Sequence, residues 1–392
     1  MTCSNELPLL DLAPAERGAD SFGAEQATGS VLQYGKSTSQ AASDDRQRLS
    51  DLPLQALLPI LDSTSDVNTL NIRPFVVYLC GGKARKGQLS DPLDRSNPLF
   101  ASPLAVDSVD VLLVDVDEYI EGSGLTIEAT EGLSSVRVVE GLKRIASHRL
   151  CLGIICTPPC RTFTCVKFSG GDGLPPPCRD LLRRFGIPDP SGRLPTKVLT
   201  DNGIVENCIA ICLVSLANGG FCIWENPPWR GAGSAFPLKG REAHCSLWQY
   251  PPFVSFSEAI NGDFTTFDQC MTGQVAQKKT TLFSSPNISA SVRTRFAHLQ
   301  CNHQSHYGTS LMGLDDEGVF RTSGAEMFTT QMNKLLAECV LDFWRASPQH
   351  PTNIALCEAV GSAFICQEVP SLEDLAAQQI QAAYRGHCSA YP

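Results

Sequence analysis

No stretch of the chain approaches the about 18 consecutive apolar residues that a membrane-spanning helix requires, which argues against a membrane protein. The N-terminus, MTCSNELPLLDLAPAERGAD, lacks a basic start followed by an apolar core and a cleavage site, so an unsecreted, soluble protein is expected. Positive charge is in deficit: 31 Lys and Arg face 41 Asp and Glu, a formal charge of −10. That balance excludes a general electrostatic nucleic-acid binder unless the basic residues gather on one face. The 17 cysteines are odd in number and lack the spacing of a small disulfide scaffold, so they read as reduced thiols, mostly in the core. No internal repeat is present. What remains is a 392-residue chain that is 43% hydrophobic, enough for a large core and for two or three units of roughly 100–200 residues each.

Residues 1–70 are rich in Ser, Ala, Asp, Gln and Gly and hold about ten acids against four bases, the composition of a disordered acidic leader. From Pro74 the character changes. Apolar runs at Phe75–Leu79, Val111–Val114, Leu150–Cys156 and Phe221–Trp224 read as buried strands. Helical spacing marks Gly132–Ser147, with Val136, Val139, Leu142 and Ile145 on one face, and Val198–Ala217, which stops at Asn218-Gly219-Gly220. A last helix spans Phe328–Phe343. The alternation of strand and helix implies an α/β fold with a mostly parallel sheet and helices on its faces, over about residues 71–345. A Gly-, Pro- and Arg-rich insertion over about 170–195 reads as a long loop with a short helical turn, and residues 346–392 as a linker and tail helix.

Two strand ends carry unusual residues, Thr157-Pro158-Pro159-Cys160 and Glu225-Asn226-Pro227-Pro228-Trp229. In an open α/β sheet ligands sit outside the carboxyl ends of strands, so these segments are expected to face one crevice. Proline fixes backbone angles beside a reactive group. Cys160, directly after Pro-Pro, is a candidate nucleophile, which requires a lowered pKa or a nearby proton acceptor.

The order of these motifs resembles that of the DNA cytosine-5 methyltransferases. The resemblance implies a Rossmann-like fold that binds S-adenosylmethionine through the first strand and its loop, here Val76–Gly82, with Gly81, Gly82 and Pro158 as cofactor contacts. It further implies that Asp115 or Asp117 holds the ribose, that Cys160 attacks carbon 6 of a flipped-out cytosine, and that Glu225, supported by Asn226, hydrogen-bonds ring nitrogen 3. Downstream, Phe267–Gly273, Gln277–Leu282 and Thr322–Phe328 look like segments of divergent relatives carried by protist and algal retroelements, so the resemblance covers about residues 74–345. Arg161, Lys278 and Lys279 are then the expected nucleic-acid contacts, joined by Arg179, Arg183, Arg184, Arg193, Arg293 and Arg295 as a basic rim. DNA is the implied partner, with RNA the other candidate, and the location nuclear or cytoplasmic. The chain departs from the family pattern in having Cys-Gly-Gly-Lys-Ala-Arg-Lys-Gly (80–87) instead of Phe-x-Gly-x-Gly, Thr157 before Pro-Pro, Arg161 after Cys160, and Pro227 after Glu-Asn.

Three further readings stand beside this one. Asn226-Pro227-Pro228-Trp229 also matches the Asn-Pro-Pro-aromatic signature of methyltransferases that act on exocyclic amines, a reading that leaves Glu225 without a role. Cys301-x-His303-x-x-His306 has ligand types suited to zinc, with Cys245 or His298 as a fourth, but lacks a Cys-x-x-Cys pair. No metal is assigned, and the segment is expected to be a polar loop near the base-binding region. Finally, Ala377–His387 resembles an IQ motif, which implies a calmodulin or other EF-hand partner gripping Ile380, Gln381, Arg385 and Gly386. With a decayed catalytic region the chain would be an interaction protein instead.

Overall fold

The computed structural model describes residues 73–81, 109–114, 133–168, 176–274, 276–304, 306 and 328–348. The acidic leader, Gly82, Asp115, Asp117, most of the Thr322–Phe328 segment and the IQ-like segment lie outside the described residues.

Four apolar runs form parallel strands: β1 (Phe75–Leu79), β2 (Asp110–Val114), β3 (Cys151–Cys156) and β4 (Phe221–Asn226). All four are buried along their whole length, as expected of parallel strands covered on both faces. A hairpin of β5 (Asp263–Asp268) and β6 (Lys279–Ser284) adds to the edge of β4, with β6 antiparallel to both neighbours. The resulting order is β2-β1-β3-β4-β6-β5. The protein is thus α/β, with a mixed, mostly parallel sheet compatible with a Rossmann-like fold. The chain leaves β1 toward β2 on one side and returns to β3 on the other, which places a switch point between the carboxyl ends of β1 and β3.

Alternate residues of β1 and β4 point to opposite faces, and β3, whose pairing with β1 shifts register near its start, does so from Ile154 onward. Val77, Leu79, Ile154, Cys156, Cys222 and Trp224 pack beneath α1 (Val136–Ala146), α2 (Thr196–Ala217) and α3 (Pro251–Ile260). Val76, Tyr78, Leu152, Ile155, Phe221 and Ile223 face α4 (Pro286–Phe296) and α5 (Thr330–Ala346). By length and composition α2 is apolar enough to cross a membrane, a property that counting uninterrupted apolar residues misses. Here it lies against the sheet, with Val205, Cys208 and Cys212 buried, and ends at Asn218 and Gly219, whose φ of 81° suits glycine.

Three expectations are corrected. Val136, placed on the buried stripe of its helix, is 77% exposed, because α1 begins there, while Val139, Leu142 and Ile145 of that stripe are buried. Glu225 and Asn226 do not follow their strand but end it, since β6 pairs with β4 out to Glu225↔Leu282 and Asn226↔Thr281. The described part of the insertion, from residue 176, has turns and a single bridge, Asp180 to His244, and no helix.

Candidate active site at three strand ends

The ends of β1, β3 and β4 are tied together by hydrogen bonds. The Thr157 N–H donates to the Leu79 carbonyl at 3.1 Å, and its hydroxyl to the Cys80 carbonyl at 2.7 Å. Cys80 itself has φ 61°, an uncommon conformation for a residue other than glycine, which turns the chain sharply out of β1. Asn226 Nδ2 donates to the Pro158 carbonyl at 3.0 Å, so the end of β4 holds the Pro-Pro-Cys segment. Trp248 Nε1 donates to the Pro227 carbonyl at 2.9 Å and fixes the chain beyond. Cys160 is half-buried on the loop so held, and its carbonyl accepts from the Phe163 N–H at 2.9 Å.

The two residues after Cys160 are braced from α2. Arg161 is ion-paired with the buried Asp201, Nη2 to Oδ1 at 2.9 Å, and the Thr162 hydroxyl donates to the other carboxylate oxygen at 2.8 Å. Thr162 Oγ1 in turn accepts from Arg179 Nη2 at 3.0 Å. Arg179 is 1% exposed; it also donates to Asn202 Oδ1, to the carbonyls of Thr162 and Arg184, and lies 3.8 Å above the Phe163 ring. His244 Nε2 is 2.8 Å from the Phe163 carbonyl while its Nδ1 accepts from the Arg230 N–H at 3.1 Å. This is the arrangement of a neutral imidazole, and burial pushes its pKa down to about 4. Neither Asp201 nor Asn202 stands out in the sequence as a site residue, although two polar residues early in an otherwise apolar helix are a detectable signal, and Arg179 is expected on a surface rim and not in this brace.

Glu225 and Asn226 are buried beside this loop. Among the described residues, Glu225 Oε1 and Asn226 Oδ1 have no hydrogen-bond partner. Burial raises the Glu225 pKa, opposed by the charge of Lys278, and so favours the protonated carboxyl. Such orphaned buried polar atoms are rare in proteins and mark a place where a ligand or water completes the bonding.

Four arginines of the expected basic rim have partners within the chain. Arg179 is internal, and Arg183 pairs with Asp180. Arg293 pairs with Asp263, and Arg295 with Glu338 and Asp342, both from α4. Lys279 is mostly buried against Asp268 at 2.7 Å, Arg161 is held by Asp201, and the charge of Lys278 acts on Glu225. Of the expected cofactor contacts, Gly81 is explained by packing: a Cβ there would meet Leu113 at 2.4 Å. The Pro158 carbonyl is taken by Asn226, and Trp229 donates its indole N–H to the His244 carbonyl.

Cys301, His303 and His306 come together with a fourth residue, which is neither Cys245 nor His298 but Cys270. Cys245 is buried near Arg179, and His298 is exposed. Cys270 sits on the helical turn Gln269–Thr272 after β5, within a segment read from sequence only as a family-like motif. No protein-family model matches the chain, and neither does any curated protein or any solved structure.

Proposed function

We propose that the chain is an S-adenosylmethionine-dependent methyltransferase acting on carbon 5 of cytosine in DNA, with Cys160 as nucleophile and Glu225 as the acid that binds the base. The observation that carries this reading is the Asn226–Pro158 hydrogen bond, which sets the Pro-Pro-Cys loop beside a buried acid with an unpartnered oxygen. The described residues fit a base site better than they reveal a cofactor site. In the sequence Asp115 and Asp117 come soon after Val114, the last residue of β2, which pairs with Leu79 at the end of β1, and this reading assigns them the ribose hydroxyls. When bound, S-adenosylmethionine supplies the methyl group that carbon 5 takes.

The residues of the chain do the rest. A cytosine inside a duplex is out of reach of Cys160, so it must be turned out of the stack. The Cys160 sulfur then forms a bond to carbon 6 as the 5,6 double bond opens, and the electron pair moves to carbon 5. Glu225, whose pKa burial raises, donates in its protonated form to ring nitrogen 3 and stabilises the charge that develops on the ring. After methyl transfer, loss of the carbon-5 proton and breakage of the sulfur–carbon 6 bond restore the ring and the thiolate. Asn226 acts as a positioning residue through the Pro158 carbonyl. The exocyclic-amine reading fits less well, because it gives the buried Glu225 no role.

Calorimetry of S-adenosylmethionine binding to the full chain tests the cofactor half of the proposal. Micromolar affinity, about −8 kcal/mol, weakened at least tenfold by Asp115→Ala or Asp117→Ala is the expected result. Methyl transfer to cytosine-containing DNA, abolished by Cys160→Ser and by Glu225→Gln, tests the chemical half. A folded protein that binds no cofactor overturns the proposal and leaves the interaction-protein reading, to be tested as calmodulin binding dependent on Ile380.

A further inference from the structure

We propose that Cys270, Cys301, His303 and His306 form a closed four-ligand zinc site that clips the segment following α4 to the turn between β5 and β6. This inference stands independently of the methyltransferase reading. One potential ligand atom from each of the four residues, two thiol sulfurs and two ring nitrogens, lies within 4.8 Å of all the others. Cys301 Sγ is 3.5 Å from His303 Nδ1 and 3.3 Å from His306 Nε2. With zinc–sulfur bonds of about 2.3 Å and zinc–nitrogen bonds of about 2.0–2.1 Å, a tetrahedron has edges of about 3.3–3.8 Å, so these separations already approach those of a filled site.

The ligand set chooses the metal. Two thiolates and two neutral imidazoles balance the charge of a divalent ion, and such a set suits zinc rather than magnesium or calcium, which favour oxygen. Four protein ligands leave no open position for water, which makes the site structural rather than catalytic. The framework is held independently of any ion. Asp268 Oδ2 accepts from the Cys301 N–H at 2.9 Å and from Lys279 Nζ at 2.7 Å, and Gln300 Nε2 donates to the Thr266 carbonyl at 2.8 Å. The Asp268 N–H donates to the Leu299 carbonyl. Cys270 is brought there by the turn that ends β5, and the other three arrive on one short segment after α4, so the ligands come from two pieces of chain that only the folded hairpin brings together. The clip also secures the strand bearing Lys279, whose backbone pairs with Asp268 across the hairpin.

The test is the zinc content of the full-length protein, purified under reducing conditions without chelator and measured by plasma mass spectrometry. About one zinc per chain is expected, falling at least tenfold in Cys301→Ser and in His303→Ala, with Cys165→Ser unchanged. His303 is exposed, so its truncation leaves the fold intact and keeps the test decisive even where a cysteine variant does not fold. Cobalt(II) added to the metal-free protein should give the visible bands of a tetrahedral thiolate complex, absent in His303→Ala. Three results would overturn the proposal: folded wild-type protein with no zinc and no cobalt spectrum, a Cys270–Cys301 disulfide in the reduced preparation, or zinc retained in both ligand variants.

Discussion

Arg179 and Glu225 are both charged in water and both buried in the same domain, yet their surroundings are opposite. Arg179 sits in the loop packed beside the start of α2, where neutral acceptors from Thr162, Arg184 and Asn202 and the face of Phe163 satisfy its guanidinium. Glu225 ends β4 with one oxygen unpartnered and its ionised form disfavoured. A buried charge with a full set of partners is part of the scaffold, because removing it strands every group that it satisfied. A buried acid without one costs stability and persists where something other than stability requires it. The contrast separates the bracing of the Cys160 loop from the group that the loop faces.

Replacing Arg179 should have the largest effect on that contrast. Arg179→Met leaves the carbonyls of Thr162 and Arg184 and Asn202 Oδ1 without the guanidinium, at a cost of about 3–5 kcal/mol, read as a lower urea midpoint at unchanged slope. His244 belongs to the same brace and gives it a pH dependence. Its folded pKa of about 4 lies below its ordinary 6.5, so its stabilising share is complete above pH 6.5 and lost as the pH falls through 4. That share is roughly 3 kcal/mol, and it should vanish from the urea-unfolding profile of His244→Asn between pH 7 and 4. Glu225→Gln should do the reverse of Arg179→Met and stabilise the protein at pH 7 by about 1–2 kcal/mol, because a neutral amide replaces a disfavoured carboxylate. Its folded pKa lies above the ordinary 4.5, so the unmodified protein loses stability as the pH rises through the folded value. Below pH 4 both states of both proteins carry no charge at this position, and the difference between them should disappear. A glutamine variant less stable than the parent at pH 7 would remove Glu225 from the functional side of the comparison.

Much of the sheet was legible because parallel strands buried on both faces leave uninterrupted apolar runs. Phe75–Leu79 is the same segment in sequence and in structure, and the third strand differs by one residue. The hairpin of β5 and β6 was harder, since Asp263–Asp268 and Lys279–Ser284 mix polar and apolar residues, and the edge strand is partly exposed. The Cys160 loop and the Glu225–Asn226 pair were visible as residues out of place at strand ends. Arg179 was misread as part of a basic rim because charge alone does not tell a surface cation from one stacked on Phe163. In the same way, Cys301, His303 and His306 are a recognisable fragment of a metal motif, but nothing along the chain distinguishes Cys270 from Cys245 as their companion.

The sequence by itself determined the four parallel strands and the helices α1, α2 and α5, because apolar periodicity and the backbone preferences of glycine and proline act over a few residues. Only the tertiary structure decided that Asn226 reaches Pro158, that Asp201 braces the residues after Cys160, and that Cys270 completes a set with Cys301, His303 and His306. Those contacts depend on strand order and on the packing of helices against the sheet, and they join segments far apart in the chain. Such separations are set by the packing of the whole domain, which no local pattern encodes.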